Sequence, residues 1–142
     1  MKLSKLFFPL LLFSSCQLYT DDNHQLAGYW KLTAVDSLHN GVHVDLSQRS
    51  IFWAIQTDLL ALRDNDTVRD LYICRFQFDD NTLRVYEPRG YEKASGDTLL
   101  STPDRIRHFG INSLDETFAV RSLQHQSLTL SSPSLTLHFR KF

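Results

Sequence analysis

Short segments in which apolar and polar residues alternate make up most of the chain, and polar turns separate them. Alternation at every second position is typical of half-buried β-strands, and no long segment has the period of an amphipathic helix. The last segment is the clearest case, with Leu135, Leu137 and Phe139 on one face and polar residues on the other. Strands are predicted over residues 28–36, 51–62, 68–78, 83–86, 117–123, 127–131 and 134–142.

The segments between these strands carry turn signals. Asn40-Gly41 is typical of a tight turn, and residues 79–81 are expected to turn the chain into a hairpin. Residues 104–109 are predicted to form a short helix that ends at Gly110. Residues 88–103 are polar, and they are expected to form either a loop or a weakly patterned hairpin over one end of the fold.

The predicted elements indicate an all-β domain of seven or eight antiparallel strands. That number of strands can close into a barrel and so leave no exposed edge, and a meander of neighbouring hairpins is the simplest topology. A sandwich of two sheets fits the same strand count. Trp53 lies in a segment that is apolar on both faces at its start, so one outer face of the sheet must be covered.

The N-terminus has the order of an export signal: a short positive segment over residues 1–5, an apolar run over residues 6–13, and then Ser14 and Ser15. The run is shorter than the roughly 20 apolar residues of a membrane-spanning helix. Residues 1–15 are therefore predicted to be a cleaved signal peptide.

The residues around the cleavage point resemble the lipobox of bacterial lipoproteins, because Cys16 directly follows Ser14 and Ser15, although Phe13 departs from the usual Leu, Ile or Val. The resemblance implies that the Cys16 thiol is acylated and anchors the mature protein to a membrane; a plain secreted protein is the alternative. By resemblance to other Gram-negative lipoproteins, the presence of Gln17 rather than Asp directly after Cys16 implies that the protein is passed on to the outer membrane. The acidic residues Asp21 and Asp22 resemble surface-display signals, so a periplasmic and a surface-exposed position both stay open.

Size and charge narrow the possible functions. The predicted organisation is a signal peptide over residues 1–15, a lipidated tether over residues 16–26 and one barrel domain over residues 27–142. Cleavage would remove Lys2 and Lys5 and leave 13 of the 15 Lys and Arg residues against 16 Asp and Glu, so no nucleic-acid partner is expected. Cys74 would then be the single remaining thiol, and we expect it to be a buried apolar residue.

Gly28-Tyr29-Trp30 resembles the Gly-x-Trp motif that opens the first strand of lipocalins, and Arg140 lies on the last strand, where that superfamily places an arginine. The chain is therefore similar to the small lipocalin-like domains of Gram-negative lipoproteins. The resemblance implies that Arg140 lies across the ring of Trp30 and closes the barrel, a contact that contributes about 0.5–2 kcal/mol. The middle of the chain departs from the family because it lacks the second short motif.

Candidate catalytic and metal-binding residues are few. His39 and His43 flank the Asn-Gly turn and would need Asp36 or Asp45 to complete a metal site; solvated turn residues are the expected interpretation. Asp64-Asn65-Asp66 is interpreted as a turn, because the rest of a calcium loop is missing. No motif of a hydrolase, a phosphate loop or a zinc peptidase is present, so the chain is predicted to be no enzyme and to need no metal or cofactor.

Two functions remain. In the first, the barrel binds a small apolar or amphipathic ligand, with Trp53, Phe76, Phe78 and Tyr86 as candidate binding residues. In the second, side chains fill the barrel, and its loops make the protein a non-catalytic interaction subunit of an envelope assembly. The expected partners are thus the membrane, through the lipid on Cys16, and either a small ligand or an envelope protein.

Overall fold

Eight antiparallel strands close into a barrel in the computed structural model, which describes residues 25–67, 70–79, 81–92 and 96–142. Two further short strands pair with the ends of two barrel strands. The strands of the described residues are β1 Gly28–Ser37, β2 His43–Asp45, β3 Ile51–Gln56, β4 Leu59–Asp64, β5 Asp70–Asp79, β6 Thr82–Glu92, β7 Gly96–Leu99, β8 Asp115–Leu123, β9 Ser127–Ser131 and β10 Leu135–Lys141. A 3-10 helix covers Asp104–Phe109.

The barrel order is β1-β3-β4-β5-β6-β8-β9-β10, and β10 returns to pair with β1 from Trp30 opposite Lys141 to Ser37 opposite Leu135. β2 pairs with the part of β1 that β3 leaves open, and β7 pairs with the end of β6 beyond β8. The prediction of an all-β antiparallel barrel of seven or eight strands is confirmed. The closing β1–β10 ladder excludes the two-sheet sandwich.

Two segments differ from the sequence-based prediction. The single strand expected over residues 51–62 is the hairpin β3–β4, which turns at Thr57 and Asp58. Thr57 adopts a left-handed backbone with φ 48°, and neither residue belongs to the Asn-Gly type of turn signal, so the turn was missed. Residues 88–103, for which the sequence allows a loop or a hairpin, contain a hairpin, because β6 continues to Glu92 and pairs with β7.

Antiparallel connections place the turns at two ends of the barrel. At the end that we call the base, β1 begins, β10 ends, and the turns β3–β4, β5–β6 and β8–β9 lie. At the opposite end, which we call the mouth, lie the longer connections β1–β3, β4–β5, β6–β8 and β9–β10. The 3-10 helix belongs to the β6–β8 connection, so it lies at the mouth.

Inward-facing side chains fill the barrel from base to mouth. Trp30 is fully buried near the base, where its Nε1 donates to the carbonyl oxygen of Leu26 at 2.8 Å, and Leu26 is itself fully buried. Trp53, which pairs with Trp30 across the β1–β3 ladder, is also fully buried and packs edge-on against Phe118 and Phe139, with ring centroids 5.7 and 5.0 Å away. In the described part of the chain, no buried side-chain nitrogen or oxygen lacks a hydrogen-bond partner. Burial of large apolar side chains therefore holds the fold together.

Candidate functional site: the plugged mouth of the barrel

The mouth is closed by the 3-10 helix Asp104–Phe109, which we call the plug helix. It begins after Pro103 and ends at Gly110. Gly110 has a left-handed backbone with φ 88°, and its backbone N–H donates to the carbonyl oxygen of Arg107. The prediction of a short helix that ends at Gly110 is confirmed. Two apolar side chains of the plug helix, Ile106 and Phe109, are fully buried. The plug helix therefore presents an apolar side to the barrel interior and a polar side to solvent.

Contacts with three separate strands place the plug helix across the opening. Trp53 on β3 donates its Nε1 hydrogen to the carbonyl oxygen of Phe109 at 3.1 Å. Tyr72 on β5 meets the Phe109 ring edge-on at 6.1 Å between centroids. A Cβ on Gly110 would come within 2.5 Å of Leu137 on β10, so the chain after the plug helix lies tightly against the wall. The plug helix is thus seated among apolar side chains from opposite sides of the barrel.

A polar cluster joins the plug helix to the rim. His108 Nε2 lies 3.4 Å from Asp64 Oδ2 at the end of β4 and 3.9 Å from Asp70 Oδ2 at the start of β5. The Asp64 carboxylate is buried; its Oδ1 accepts the backbone N–H of Asp66, and Oδ2 also lies 3.4 Å from Arg49 Nη2. These contacts make the 64–66 segment the turn that the sequence predicts.

The donor atoms of Asp64, Asp70 and His108 lie within 4.8 Å of one another, a spacing that a metal ion could bridge. The Arg49 guanidinium approaches the same Asp64 oxygen, and its positive charge opposes a cation there. We therefore interpret the cluster as polar contacts that hold the plug helix on the rim.

Of the predicted ligand-binding residues, Trp53 and Phe76 are core side chains, and Phe78 is half-buried against that core. Tyr86 lies on the outer face of β6, where the Arg84 guanidinium stacks over its ring at 4.4 Å. Tyr86 therefore does not line the barrel interior, and its position does not support the ligand-binding role predicted for it. Leu83 and Val85 are the neighbours that face inward, because a strand alternates its faces.

Two hollows lie at the ends of the barrel. At the mouth, a groove of about 290 Å³ runs beside the plug helix, lined by Gly90, Thr98, Leu99, Leu100, Ser101, Thr102 and Arg105. At the base, a hollow of about 760 Å³ opens to solvent, lined by Gln25, Ala27, Gly28, Ile55, Gln56, Thr57, Gln124, His125 and Lys141. Both lie outside the packed interior.

The predicted pair of Trp30 and Arg140 is wrong, because Lys141 is the cation above the indole ring. Lys141 Nζ lies 5.0 Å from the ring centroid and donates to the carbonyl oxygen of Ala27 at 2.9 Å. Arg140 pairs with Lys31 and points outward, because it shares the face of His138 rather than that of Phe139. A cation does lie over the Trp30 ring, as the resemblance implies, but it belongs to Lys141 and not to the adjacent Arg140.

A histidine–aspartate–histidine arrangement lies on the outer wall near the mouth. His138 Nε2 lies 2.7 Å from Asp36 Oδ2, and His43 Nδ1 hydrogen-bonds to the other oxygen. These two hydrogen bonds lower the pKa of Asp36. Of the two acidic partners that the sequence suggests for His43, Asp36 is the one it contacts. The other histidine on Asp36 is His138 and not His39, which is exposed. Pairing of the first and last strands is the signal that would have identified His138.

Comparison with known proteins places this barrel in a family. The sequence model of the lipocalin-like domain matches residues 11–142. The chain belongs to the lipocalin-like family. Lipocalin-like domains are generally non-catalytic and of the ligand-binding type. No curated protein sequence matches the chain.

Two solved structures share the lipocalin-like fold. A lipocalin-like protein from Bacteroides uniformis is similar with a TM-score of 0.63 and 20% identity, over 83% of this chain and 99% of that one. An uncharacterised protein from Bacteroides eggerthii is similar with a TM-score of 0.54 and 17% identity, over 82% and 98% of the two chains. At these identities the likeness establishes the fold alone.

Cys16 lies outside the described residues, so its acylation stays a prediction. In the part of the chain that the structure describes, no helix is both long enough and apolar enough to cross a membrane.

Proposed function

We propose that this lipocalin-like protein is an outer-membrane lipoprotein, anchored through Cys16, that binds a small apolar or amphipathic ligand at the mouth of its barrel. The observation that carries the proposal is the plug helix: one short 3-10 helix occupies the mouth with the fully buried side chains of Ile106 and Phe109. In this proposal the ligand takes their place when the plug helix moves outward.

The surroundings of the plug helix suit such an exchange. Its buried side chains lie among Trp53, Tyr72 and Leu137, which would offer an apolar lining to a ligand once the plug helix is displaced. The polar contacts of His108 with Asp64 and Asp70 are at 3.4 and 3.9 Å, longer than strong hydrogen bonds. A ligand that buries comparable apolar area can therefore compete with the plug helix.

Ligand binding is tested by titrating the protein with an apolar fluorescent probe and with fatty acids of several chain lengths. Ile106→Ala, which thins the plug helix, is expected to tighten probe binding severalfold. Ile55→Ala is the matched control, because Ile55 is equally buried but lies near the base. Emission from Trp53 should change on binding, because its indole bonds to Phe109. The proposed ligand binding at the mouth is contradicted if no probe binds, or if Ile55→Ala tightens binding as much as Ile106→Ala.

The anchor is tested separately. Mass spectrometry of the protein extracted from membranes should show a chain that begins at Cys16 and carries the mass of its acyl groups. Cys16→Ser should release the protein from the membrane fraction, and density-gradient separation should place the wild type in the outer membrane. A soluble wild-type protein without added acyl mass would end the lipoprotein proposal.

The second candidate is a non-catalytic interaction subunit, favoured by the dense packing of Trp53, Phe118 and Phe139 inside the barrel. In this case the plug helix is a permanent part of the core, and the loops at the mouth contact an envelope protein. Crosslinking in intact cells through a photoreactive residue at position 99, which is exposed, should recover one specific protein. Repeated recovery of none would argue against this candidate.

A further inference from the structure

Three aromatic rings form a cluster on the outside of the barrel near the base. Phe52 on β3 lies 4.8 Å from Tyr29 on β1 and 5.3 Å from Phe142, measured between ring centroids. Phe52 points away from the core, yet it is only 6% exposed because these two rings cover it, whereas Phe142 is 82% exposed. The apolar surface that the cluster exposes to solvent is therefore mainly that of Phe142, with part of the half-buried Tyr29 beside it.

Cations flank this cluster in register across neighbouring strands. Arg140 on β10 pairs with Lys31 on β1, Lys31 pairs with Phe52, and Phe52 pairs with Arg63 on β4. The outward positions on these parts of β1, β3 and β4 are Tyr29, Lys31, Phe52, Ala54, Gln56, Leu59, Ala61 and Arg63, and none of them is acidic. Since the whole chain has a net charge of −1, this concentration of positive charge is local.

Apolar residues continue the surface beyond the rings. Tyr29 pairs with Ala54, Ala54 with Ala61, and Ala61 with Ile73 on β5, so one row of partly exposed small and aliphatic side chains crosses four strands. Leu59, at the base end of β4, is 46% exposed. We call the surface formed by this row, the aromatic cluster and Lys31, Arg63 and Arg140 the aromatic–cationic face.

The aromatic–cationic face lies where the N-terminal segment joins the barrel. The described residues begin at Gln25, and Tyr29 on β1 lies four residues later. Cys16 precedes Gln25 by nine residues, which span at most about 32 Å when fully extended. An acylated Cys16 would therefore hold this face within reach of a membrane surface. Tyr favours the headgroup level of a bilayer, Phe inserts at the boundary between headgroups and acyl chains, and Lys and Arg are attracted to anionic lipids.

We propose that the aromatic–cationic face docks the barrel against an anionic phospholipid surface. Its location near the membrane rests on the proposed anchor, but its affinity for lipid is a property of the face itself. Phe142 and Tyr29 would enter the headgroup region, and Arg63 and Arg140 would contact lipid phosphates. The long axis of the barrel would then lie along the membrane, with the plug helix free at one end.

The test uses the chain from residue 17, which keeps every described residue and lacks Cys16, with vesicles of phosphatidylcholine alone or of phosphatidylcholine and phosphatidylglycerol at 3:1. Co-sedimentation should show binding to the anionic vesicles that weakens in salt. Removal of each cation is expected to weaken binding about fivefold, so Arg63→Glu with Arg140→Glu should weaken it by about 25-fold or more. Phe142→Ser should weaken it further.

The matched control is Arg107→Glu with Arg121→Glu, which changes the net charge equally but lies on the plug helix and on the opposite wall, β8. This control should lose much less affinity than the substitutions on the face, and circular dichroism should show that all variants are folded. The proposal is overturned if the wild type does not bind anionic vesicles, if both double variants lose affinity equally, or if the face instead forms a dimer that Phe142→Ser dissociates. Failure of acylation at Cys16 would leave vesicle binding intact, so the two proposals fail separately.

Discussion

At the scale of single residues, the base of the barrel depends on how Gly28, Trp30 and Lys141 fit together. Gly28 has φ 138°, and a Cβ there would lie 2.6 Å from Lys141 Cε. The absence of a side chain thus lets Lys141 pass over the Trp30 ring and reach the carbonyl oxygen of Ala27. This close approach gives the glycine of Gly28-Tyr29-Trp30 its structural role.

Lys141 should therefore stabilise the fold more than Arg140 does. We expect Lys141→Met to lower the free energy of unfolding by about 0.5–2 kcal/mol, because a cation–π contact and a hydrogen bond are lost. Arg140→Met should change it by less than about 0.5 kcal/mol, since Arg140 is exposed. Urea unfolding of both variants checks this, and equal losses would contradict the assignment of Lys141 as the closing cation.

The single described thiol should be inert in the folded protein. Burial raises the pKa of Cys74 to about 12, so the thiolate is scarce at neutral pH. We expect iodoacetamide to leave Cys74 unmodified at pH 8 in the folded chain from residue 17 and to alkylate it in urea. Mass spectrometry follows the reaction. Rapid alkylation without urea would show that the β5 region opens readily.

At the scale of elements, prediction succeeded where local sequence decides the structure. Ser127–Ser131 and Asp104–Phe109 were located correctly because alternation in the first and a following glycine in the second are local signals. The β3–β4 turn was missed because Thr57 is held in a left-handed backbone by pairing of the strands on either side. Arg140 was misassigned although the alternation along β10 already placed it on the outward face with His138.

The seating of the plug helix should depend on Gly110. Gly110→Ala forces an alanine into φ 88° and brings its Cβ within 2.5 Å of Leu137. Gly41→Ala is the matched control, because Gly41 has φ 67° but nothing lies within 4 Å of the added Cβ. We expect Gly41→Ala to cost about 1–2 kcal/mol and Gly110→Ala to cost more, with faster hydrogen exchange over residues 104–111. Equal costs would show that the plug helix is not tightly seated.

At the scale of the whole molecule, closure of β1 against β10 brings together residues that are distant in sequence. It joins Asp36 to His138 on the outer wall and Trp30 to Lys141 inside. Strand count and alternation predicted the barrel, but the register of this closing ladder and the docking of the plug helix depend on long-range packing. The candidate site could therefore be predicted from the sequence only as apolar residues on strands, one of which, Tyr86, faces outward.

The same closed structure holds several carboxylates in their charged form. Hydrogen bonds from His138 and His43 lower the pKa of Asp36 below its usual 3.8, and the Arg84 guanidinium does the same for Asp115. Backbone hydrogen bonds from Ser47 and Ser50 lower the pKa values of two more carboxylates, Asp45 and Asp66. Each contributes stability that is fully present above pH 3.8 and is lost as the pH falls through its lower folded-state value.

Glu116 changes the pH dependence of stability in the opposite direction. Burial raises its pKa above 4.5, even though its carboxylate accepts the backbone N–H groups of Asn112 and Ser113. Its contribution is present below pH 4.5 and is lost as the pH rises through the raised value. Four carboxylates lose their contribution to stability in acid, and only Glu116 gains one. We therefore expect the urea midpoint to fall when the pH is lowered from 5 to 2.5. Asp115→Asn should lower the midpoint at pH 5 and make its fall in acid shallower. A midpoint that rises toward pH 2.5 would mean that Glu116 outweighs the other four.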